Sequence, residues 1–285
     1  MDASGKILKS PLSKGEFLAG RSADSHAVIC FRDGRYSVVT TDGFTLDAGE
    51  TRRGAEAFAP EQVVFLNDLC RPAWLDGQER PAVLRTSAET LPGPDEPDSF
   101  GGVQLMAASP DDRYIAMTSE GGTLWIWDRA SRQFSDPVPA TISPDPNWRY
   151  MQPAWDPWCA DSTCLVFFSG KNLVVSSSDG KTQRVIANVD RPAGLAVPSP
   201  DGMSVAYVSF GAVPSALNPA QKSWGNTAVW VVSMASETAP HQLTAEDPDT
   251  TTGLRWLGND ALVFDRIGPN IIKDMHARIW EVSVR

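Results

Sequence analysis

The 285-residue chain is poor in the side chains that most often carry catalysis, bind metals or contact nucleic acid. It has three histidines and four cysteines, and its 25 basic and 35 acidic residues give a formal net charge of −10. Because nucleic-acid binding rests on lysine and arginine at phosphates, this balance disfavours a nucleic-acid partner. No run approaches the ~20 apolar residues of a membrane span. No stretch shows the 3.6-residue apolar period of a helix.

The histidines do not indicate an active site. They are far apart in the sequence, and no G-x-S-x-G motif accompanies them. Asp24, Ser25 and His26 have the residue types of a catalytic triad, but sequence neighbours cannot converge on one site as its members must. Glycine-rich phosphate-binding loops are also absent. We therefore predict a protein that is not an enzyme and needs no cofactor or metal.

What the chain does contain is a pattern that returns about six times. Its clearest copy starts with the turn Ser199-Pro200-Asp201-Gly202, followed by apolar runs at residues 205–208 and 228–232. A second clear copy starts at Ser109. Short β-branched and aromatic runs bounded by Ser-Pro or Asp-Gly predict strands joined by turns. Units of ~40–50 residues are typical of β-propeller blades.

We predict an all-β fold, a single six-bladed β-propeller domain with four antiparallel strands, A to D, in each blade. The last blade ends after its third strand, so residues 5–10 are predicted to add the outer strand and close the ring. The first two units are weak, which leaves seven blades, or five with an irregular N-terminal lobe, as alternatives. The predicted blades cover approximately residues 14–49, 58–86, 100–136, 150–187, 194–244 and 251–285.

The best copies of the pattern resemble TolB-type propeller repeats, which are related to WD-type repeats. The resemblance rests on the turn at residues 199–202, the pair Ala206-Tyr207 and the run Val229-Trp230-Val231-Val232. It covers about residues 100–285 well and the first third poorly, and residues 156–159 depart from the turn motif. Such repeats serve periplasmic binding proteins, peptidase gating domains and scaffolds, so the resemblance specifies a fold rather than a function.

Two of the four cysteines are predicted to form a disulfide. Cys159 and Cys164 flank the predicted A–B turn of the fourth blade, where the two chain ends come close enough for a bridge. A pair of free thiols is the alternative. A disulfide indicates an oxidising compartment. Together with the TolB-like resemblance it favours a periplasmic protein, with a lipoprotein anchor or signal removed. A cytoplasmic location is the alternative, since no apolar signal region follows Met1.

The long connections are predicted to lie on one face of the propeller. In a four-stranded blade the B–C and D–A connections share one face, and the tight A–B and C–D turns share the other. Binding residues concentrate on loops that a rigid scaffold holds. The long connections are residues 68–81, 87–99, 137–149, 210–226 and 268–276.

Aromatic and acidic residues on these connections and on residues 246–249 are the predicted binding residues. Tryptophan and tyrosine dominate interface hot spots, and acid at the channel mouth would steer a basic partner. Aromatics that cap the blades, solvated acidic loops and a calcium site are the alternatives. The predicted set is Trp74, Asp76, Glu79, Asp95, Glu96, Asp98, Trp148, Tyr150, Trp224, Asp247, Asp249, Asp274 and His276. Four other tryptophans, Trp125, Trp127, Trp230 and Trp280, are predicted to pack within blades.

The sequence thus predicts a non-enzymatic protein-binding module of the bacterial envelope, monomeric on its own, with a basic protein as partner. One version is a TolB-like scaffold that docks a peptide or domain at the channel mouth. Another is an inhibitor or immunity protein that blocks a secreted toxin. The alternative class is a hydrolase or lyase with a channel-mouth active site, assisted by calcium.

Overall fold

Strands account for all the regular structure that the computed structural model describes. It describes ten strands between residues 17 and 92, and then residues 103–119, 122–142, 155–214, 222–235, 239–267 and 278–284. Side chains are described only from Met106 onward. Over these ranges no helix occurs, which confirms the predicted all-β class. A helix long and apolar enough to cross a membrane is likewise not found there.

Six antiparallel sheets, here numbered 1 to 6, follow one another along the chain, and consecutive strands are neighbours within each. Sheets 1 and 2 each have four strands, and in sheet 3 both β14 and β15 pair with β13. A separate two-stranded hairpin joins β5 to β6. Sheet 1 comprises β1 (Phe17–Arg21), β2 (Ala27–Arg32), β3 (Arg35–Thr40) and β4 (Thr45–Glu50); the hairpin comprises β5 (Arg52–Arg53) and β6 (Glu56–Ala57); sheet 2 comprises β7 (Val63–Leu66), β8 (Arg71–Asp76), β9 (Val83–Thr86) and β10 (Thr90–Pro92); sheet 3 comprises β11 (Val103–Ala108), β12 (Tyr114–Ser119), β13 (Thr123–Asp128), β14 (Gln133–Phe134) and β15 (Val138–Pro139).

The remaining three sheets complete the described chain. In sheet 4 the place of the first strand is taken by Trp158, which forms a single bridge with Leu165. Sheet 6 has three described strands, and the segment predicted to add a fourth, residues 5–10, lies outside the described residues. Sheet 4 comprises β16 (Cys164–Ser169), β17 (Asn172–Ser177) and β18 (Gln183–Asn188); sheet 5 comprises β19 (Ala193–Pro198), β20 (Ser204–Pro214), β21 (Lys222–Ser233) and β22 (His241–Gln242); sheet 6 comprises β23 (Thr250–Leu257), β24 (Ala261–Ile267) and β25 (Arg278–Ser283).

Both faces of sheet 4 are covered by neighbouring sheets. Strand β16 shows this directly, because successive side chains of a strand point to opposite faces. Leu165 and Phe167 belong to one buried apolar cluster that runs through sheets 3 to 6. Val166 and Phe168 belong to a second cluster, shared with sheet 5. A strand buried on both faces reads as a continuous apolar run, which is why Leu165–Phe168 carries no alternation in the sequence.

The first strands of successive sheets also meet. Strand β7 contacts β1 and β11, and β19 contacts β16 and β23. Two buried or half-buried indoles add hydrogen bonds between sheets. Trp158 Nε1 donates to the carbonyl oxygen of Ala107 at 2.8 Å, and Trp256 Nε1 donates to that of Val197 at 3.0 Å. Sheets that stack through their inner strands are the arrangement of a propeller.

The four tryptophans predicted to pack within blades do not behave alike. Trp125 and Trp127 in β13 are buried, and Trp230 in β21 is partly buried against the second cluster. Trp280 is 42 % exposed, so the prediction that it packs inside a blade was wrong. It lies on β25, the outermost described strand of sheet 6, where less of the protein covers it.

The Ser-Pro-Asp turns of sheets 3 and 5 are held by one repeated set of hydrogen bonds. In the sheet 5 turn, Ser199 Oγ donates to Asp201 Oδ1 at 2.6 Å and accepts from the backbone N–H of Ser204 at 2.9 Å. In the sheet 3 turn, Ser109 Oγ does the same with Asp111 at 2.6 Å and with the N–H of Tyr114 at 2.9 Å. Side-chain hydrogen bonds to nearby backbone explain why serine and aspartate are favoured in such turns.

Sheet 4 replaces the serine of this turn with a disulfide. Cys159 and Cys164 are bonded, with Cα atoms 5.2 Å apart and a sequence separation of 5. That is the same spacing as from Ser109 to Tyr114, and the backbone N–H of Cys159 donates to the carbonyl of Cys164 at 2.8 Å as in the other turns. The disulfide therefore closes the sheet 4 turn where a serine side chain closes its counterparts.

Low pH should reduce the stability of the fold by protonating aspartates in its turns. Hydrogen bonds from Ser199 and from the N–H of Met203 lower the pKa of Asp201, and those from Ser177 and Lys181 lower the pKa of Asp179. A carboxyl whose pKa is depressed by folding stabilises above its unfolded value of about 3.9, and the stabilisation is lost as pH falls through the folded value. We expect urea midpoints to be level near neutral pH and to fall below about pH 4. Asp201→Asn should make that fall shallower, and an unaltered slope would contradict this account.

Candidate protein-binding face

Most of the predicted binding residues lie outside the described part of the chain. The structure describes the backbone of Trp74, Asp76 and Trp224, and the side chains of Asp247 and Asp249. The residues that lie outside are Glu79, Asp95, Glu96, Asp98, Trp148, Tyr150, Asp274 and His276.

The prediction that Trp74, Asp76 and Trp224 lie in loops was wrong. Trp74 and Asp76 lie in β8, where Trp74 pairs with Val63 on one side and Arg85 on the other. Trp224 lies in β21 and pairs with Ala212. In a strand the backbone N–H and C=O groups of these residues are hydrogen-bonded to the neighbouring strand, whereas in a loop they would need water. This favours extending the strands through these residues.

Strands β20 and β21 form a hairpin that continues past the rest of sheet 5. They have 11 and 12 residues, against six in β19. The partner strand β19 reaches β20 only as far as Ser209, and a β-bulge follows between Ser209 and Gly211. Beyond this point β20 and β21 pair with each other, and Thr227 in β21 also forms an isolated bridge with Asp247. The end of the hairpin thus projects from the sheet on the side where β20 connects to β21.

A pair of glycines allows this hairpin to pack closely on the next connection. Gly211 and Gly225 are cross-strand partners. A Cβ on Gly225 would lie 2.8 Å from the carbonyl oxygen of Pro248 and 2.9 Å from Val213 Cγ2, too close for any side chain. Asn226, the next residue, has φ of 44°, a left-handed conformation that asparagine tolerates better than most residues.

The connection from sheet 5 to sheet 6 is tied to the base of the hairpin. Thr227 and Asp247 exchange two backbone hydrogen bonds, of 2.8 and 3.0 Å. The Thr227 hydroxyl donates to the carbonyl of Asp249 at 2.7 Å, and its oxygen lies 2.7 Å from that of Thr251. Thr227 and Thr251 are fully buried. The base of the hairpin and residues 246–251 are therefore joined by backbone and side-chain hydrogen bonds.

Two of the three acids in this connection are ion-paired, which differs from the expected free negative surface. Glu246 Oε1 lies 2.5 Å from Arg191 Nη1, and both side chains are about half exposed. Asp247 Oδ2 lies 2.5 Å from Arg266 Nη1, and the Arg266 side chain is only 8 % exposed. Asp249 is partly buried. At Glu246 and Asp247 each negative charge is compensated by an arginine, so this connection contributes little to steering a basic partner.

Arg266 is held from several sides. Its guanidinium carbon lies 5.4 Å from the centroid of the Phe264 ring and 5.0 Å from that of Trp280. Strand β24 supplies Arg266 and Phe264, and β25 supplies Trp280. Asp247 thus fixes the sheet 5–6 connection onto the body of sheet 6. This is a structural role that the sequence did not indicate.

The described residues contain no cluster of metal-ligating side chains. No group of three or more histidine, cysteine, aspartate or glutamate side chains positioned to hold a metal occurs among them. His241 lies exposed in the short outer strand β22. Asp274 and His276, two of the predicted binding residues, lie outside the described chain.

The sequence did not indicate a cleft on the opposite face, which we call the turn face because the A–B and C–D turns lie there. The cleft has a volume of about 520 Å³ and lies between sheets 3 and 4. Its acidic residues come from separate turns. Because these acidic residues are far from one another in the sequence, no sequence motif marks the cleft.

Comparison with known proteins supports the fold. No family model matches the sequence, and no curated protein matches it either. Among solved structures, the chain is similar to a protein assigned as TolB from Agrobacterium tumefaciens, with a TM-score of 0.50, 11 % identity, and coverage of 94 % of this chain and 77 % of that one. It is also similar to Kuenenia stuttgartiensis hydrazine synthase, with a TM-score of 0.54, 14 % identity, and coverage of 94 % and 80 %. The predicted likeness to TolB-type β-propellers is confirmed at the level of the fold.

Proposed function

We propose that this protein is a non-enzymatic protein-binding module of the bacterial envelope, built as a six-bladed propeller that residues 5–10 close. Six successive antiparallel sheets whose inner strands meet support the ring. The TolB-like fold and the Cys159–Cys164 disulfide support a periplasmic location. A monomer that docks a basic partner is the simplest form of the proposal.

The observation that carries the proposal is the projecting hairpin of β20 and β21. Its base is fixed by Thr227 and the glycine pair, and its far end extends past sheet 5 with Trp224 in the extension. A preformed projection loses little ordering entropy on binding, which favours affinity. Of the long connections predicted at residues 87–99 and 137–149, Thr90–Pro92 and Val138–Pro139 lie in strands instead.

An experiment on Trp224 tests this proposal. Wild-type protein immobilised for affinity purification from envelope extract should retain a specific partner that mass spectrometry identifies. Trp224→Ala should weaken that complex by tenfold or more, as expected for a tryptophan hot spot worth about 2 kcal/mol. Met203→Ala is the matched control, because Met203 is 58 % exposed on the turn face. Equal loss in both variants, or retention by both, would refute docking at the hairpin.

The identity of the captured protein separates the two versions of this function. A secreted toxin would support an inhibitor or immunity protein, and envelope structural proteins would support a TolB-like scaffold. The alternative is a hydrolase or lyase with a channel-mouth active site, assisted by calcium, and a calcium-dependent rise in melting temperature would favour it.

A further inference from the structure

The cleft on the turn face has two walls that come from different sheets. One wall is the C–D turn of sheet 3 with the segment that follows it, and the other is the C–D turn of sheet 4. The walls meet at Gly180, where a Cβ would lie 2.9 Å from Ser135 Cβ. The cleft volume, about 520 Å³, is within the ~300–1,000 Å³ of ligand sites. Six of its lining residues matter here, Tyr114, Asp128, Phe134, Asp136, Asp179 and Lys181.

The cleft has an excess of negative charge, with three carboxylates against one ammonium group. Asp179 pairs with Lys181 at 3.2 Å, but the Lys181 side chain is 81 % exposed. Asp128 lies 3.5 Å from the Arg113 guanidinium, and although burial opposes it, hydrogen bonds from the N–H groups of Ala130 and Ser131 keep its pKa below the usual value. Asp136 is exposed, and among the described residues it forms no ion pair.

A mostly buried tyrosine is a second and independent feature of the cleft. Tyr114 lines the cleft but is only 8 % exposed. Its ring stacks on Trp158 at a centroid distance of 6.4 Å, with the Arg113 guanidinium 4.9 Å away. Within the described part of the chain, no hydrogen bond satisfies the Tyr114 hydroxyl. The oxygen itself is not one of the buried unpaired atoms, so it is open to a group that enters the cleft.

We propose that the cleft between sheets 3 and 4 binds the cationic side chain of an arginine or lysine from a partner polypeptide. Asp136 and Asp179 accept hydrogen bonds from the cation, and the Tyr114 hydroxyl accepts another. Phe134 covers the apolar stem of the incoming side chain, as arginine and lysine stems pack on apolar surface. This site goes beyond the proposed function because it lies on the turn face, opposite the hairpin.

A titration with small probes tests the cleft separately from the hairpin. The probes are N-acetyl-arginine methylamide and N-acetyl-lysine methylamide, and the neutral control is the citrulline analogue, which has almost the shape of arginine. Chemical-shift changes on adding each probe give its affinity. We expect saturable binding of at least one cationic probe and at least tenfold weaker binding of the citrulline analogue.

Four variants locate the binding. Asp136→Asn should weaken the cationic probe about three- to tenfold, and Lys181→Gln should tighten it about two- to fivefold, since partly exposed charges contribute modestly. Tyr114→Phe keeps the ring and should also weaken binding. Asp190→Asn, which removes an exposed charge on the other face, should change nothing. Absence of saturable binding, or equal effects of Asp136→Asn and Asp190→Asn, would overturn the proposal.

Discussion

Replacing Asp247 with asparagine should lower the free energy of unfolding by about 3 kcal/mol, because it leaves a buried guanidinium without its counter-charge. Arg266 is 7 % exposed, and the Asp247 carboxylate is its ion-pair partner at 2.5 Å. Asparagine has nearly the same shape and retains the oxygen that accepts from the N–H of Asp249. The loss of stability therefore measures the effect of removing the negative charge of Asp247. Urea denaturation followed by tryptophan fluorescence measures it.

Glu246→Gln is the matched control for this prediction. It makes the same chemical change one residue earlier in the same connection, but at a pair whose side chains are 50 % and 43 % exposed. Such pairs contribute about 0–1 kcal/mol. Adding Arg266→Met to Asp247→Asn should recover part of the stability, since the uncompensated charge is then gone. If Asp247→Asn and Glu246→Gln have the same small effect, the Arg266 pair does not fix the connection.

Removing the disulfide with Cys159→Ala and Cys164→Ala should lower the free energy of unfolding by about 2 kcal/mol. The estimate follows from the loop-closure entropy of a short ring, with cysteines five residues apart. Addition of a reductant should lower the stability of the wild-type protein by a similar amount and leave the double variant unchanged. Urea midpoints with and without reductant provide the measurement.

The serine turns of sheets 3 and 5 supply a control that this chain makes available. Cys159→Ser with Cys164→Ala places serine two residues before Asp161, as Ser109 precedes Asp111 and Ser199 precedes Asp201. Its hydroxyl can then bond the carboxylate and the backbone N–H, so this variant should be about 1 kcal/mol more stable than the double alanine variant. Equal stability of the two would mean that the turns are not equivalent.

The sequence predicted most of the strands because their signals are local. Val205–Val208 and Leu165–Phe168 are apolar runs next to turn residues, and Ser-Pro-Asp or Cys-x4-Cys marks the turn itself. The end of the β20–β21 hairpin was missed for a local reason too. In the sequence, Gly211 and Gly225 are typical of a loop. In the structure they are cross-strand partners next to a β-bulge.

The features of the candidate sites were not predictable because they join residues that are distant in the sequence. Glu246 and Asp247 form an acidic cluster in the sequence, but their arginines come from residue 191 and residue 266. The cleft acids Asp136 and Asp179 follow strands in different sheets. Only the stacking of the sheets brings these groups together, and the repeat pattern does not specify which side chains meet.

The same kinds of hydrogen bond join sheet 4 to sheet 3 and sheet 6 to sheet 5. The Trp158 indole of sheet 4 donates a hydrogen bond to sheet 3, and Ser162 Oγ of sheet 4 accepts one from the backbone N–H of Asp111. The Trp256 indole of sheet 6 donates a hydrogen bond to sheet 5, and Asn259 Oδ1 of sheet 6 accepts one from the backbone N–H of Asp201. Sheet 4 is joined to sheet 5 by a different bond, in which Arg184 Nη2 donates to the carbonyl of Met234 at 2.7 Å. Excising or duplicating sheet 3 with sheet 4, or sheet 5 with sheet 6, keeps the indole and turn-amide donors matched. Excising or duplicating a single sheet leaves both an indole and a turn amide without a hydrogen-bond partner.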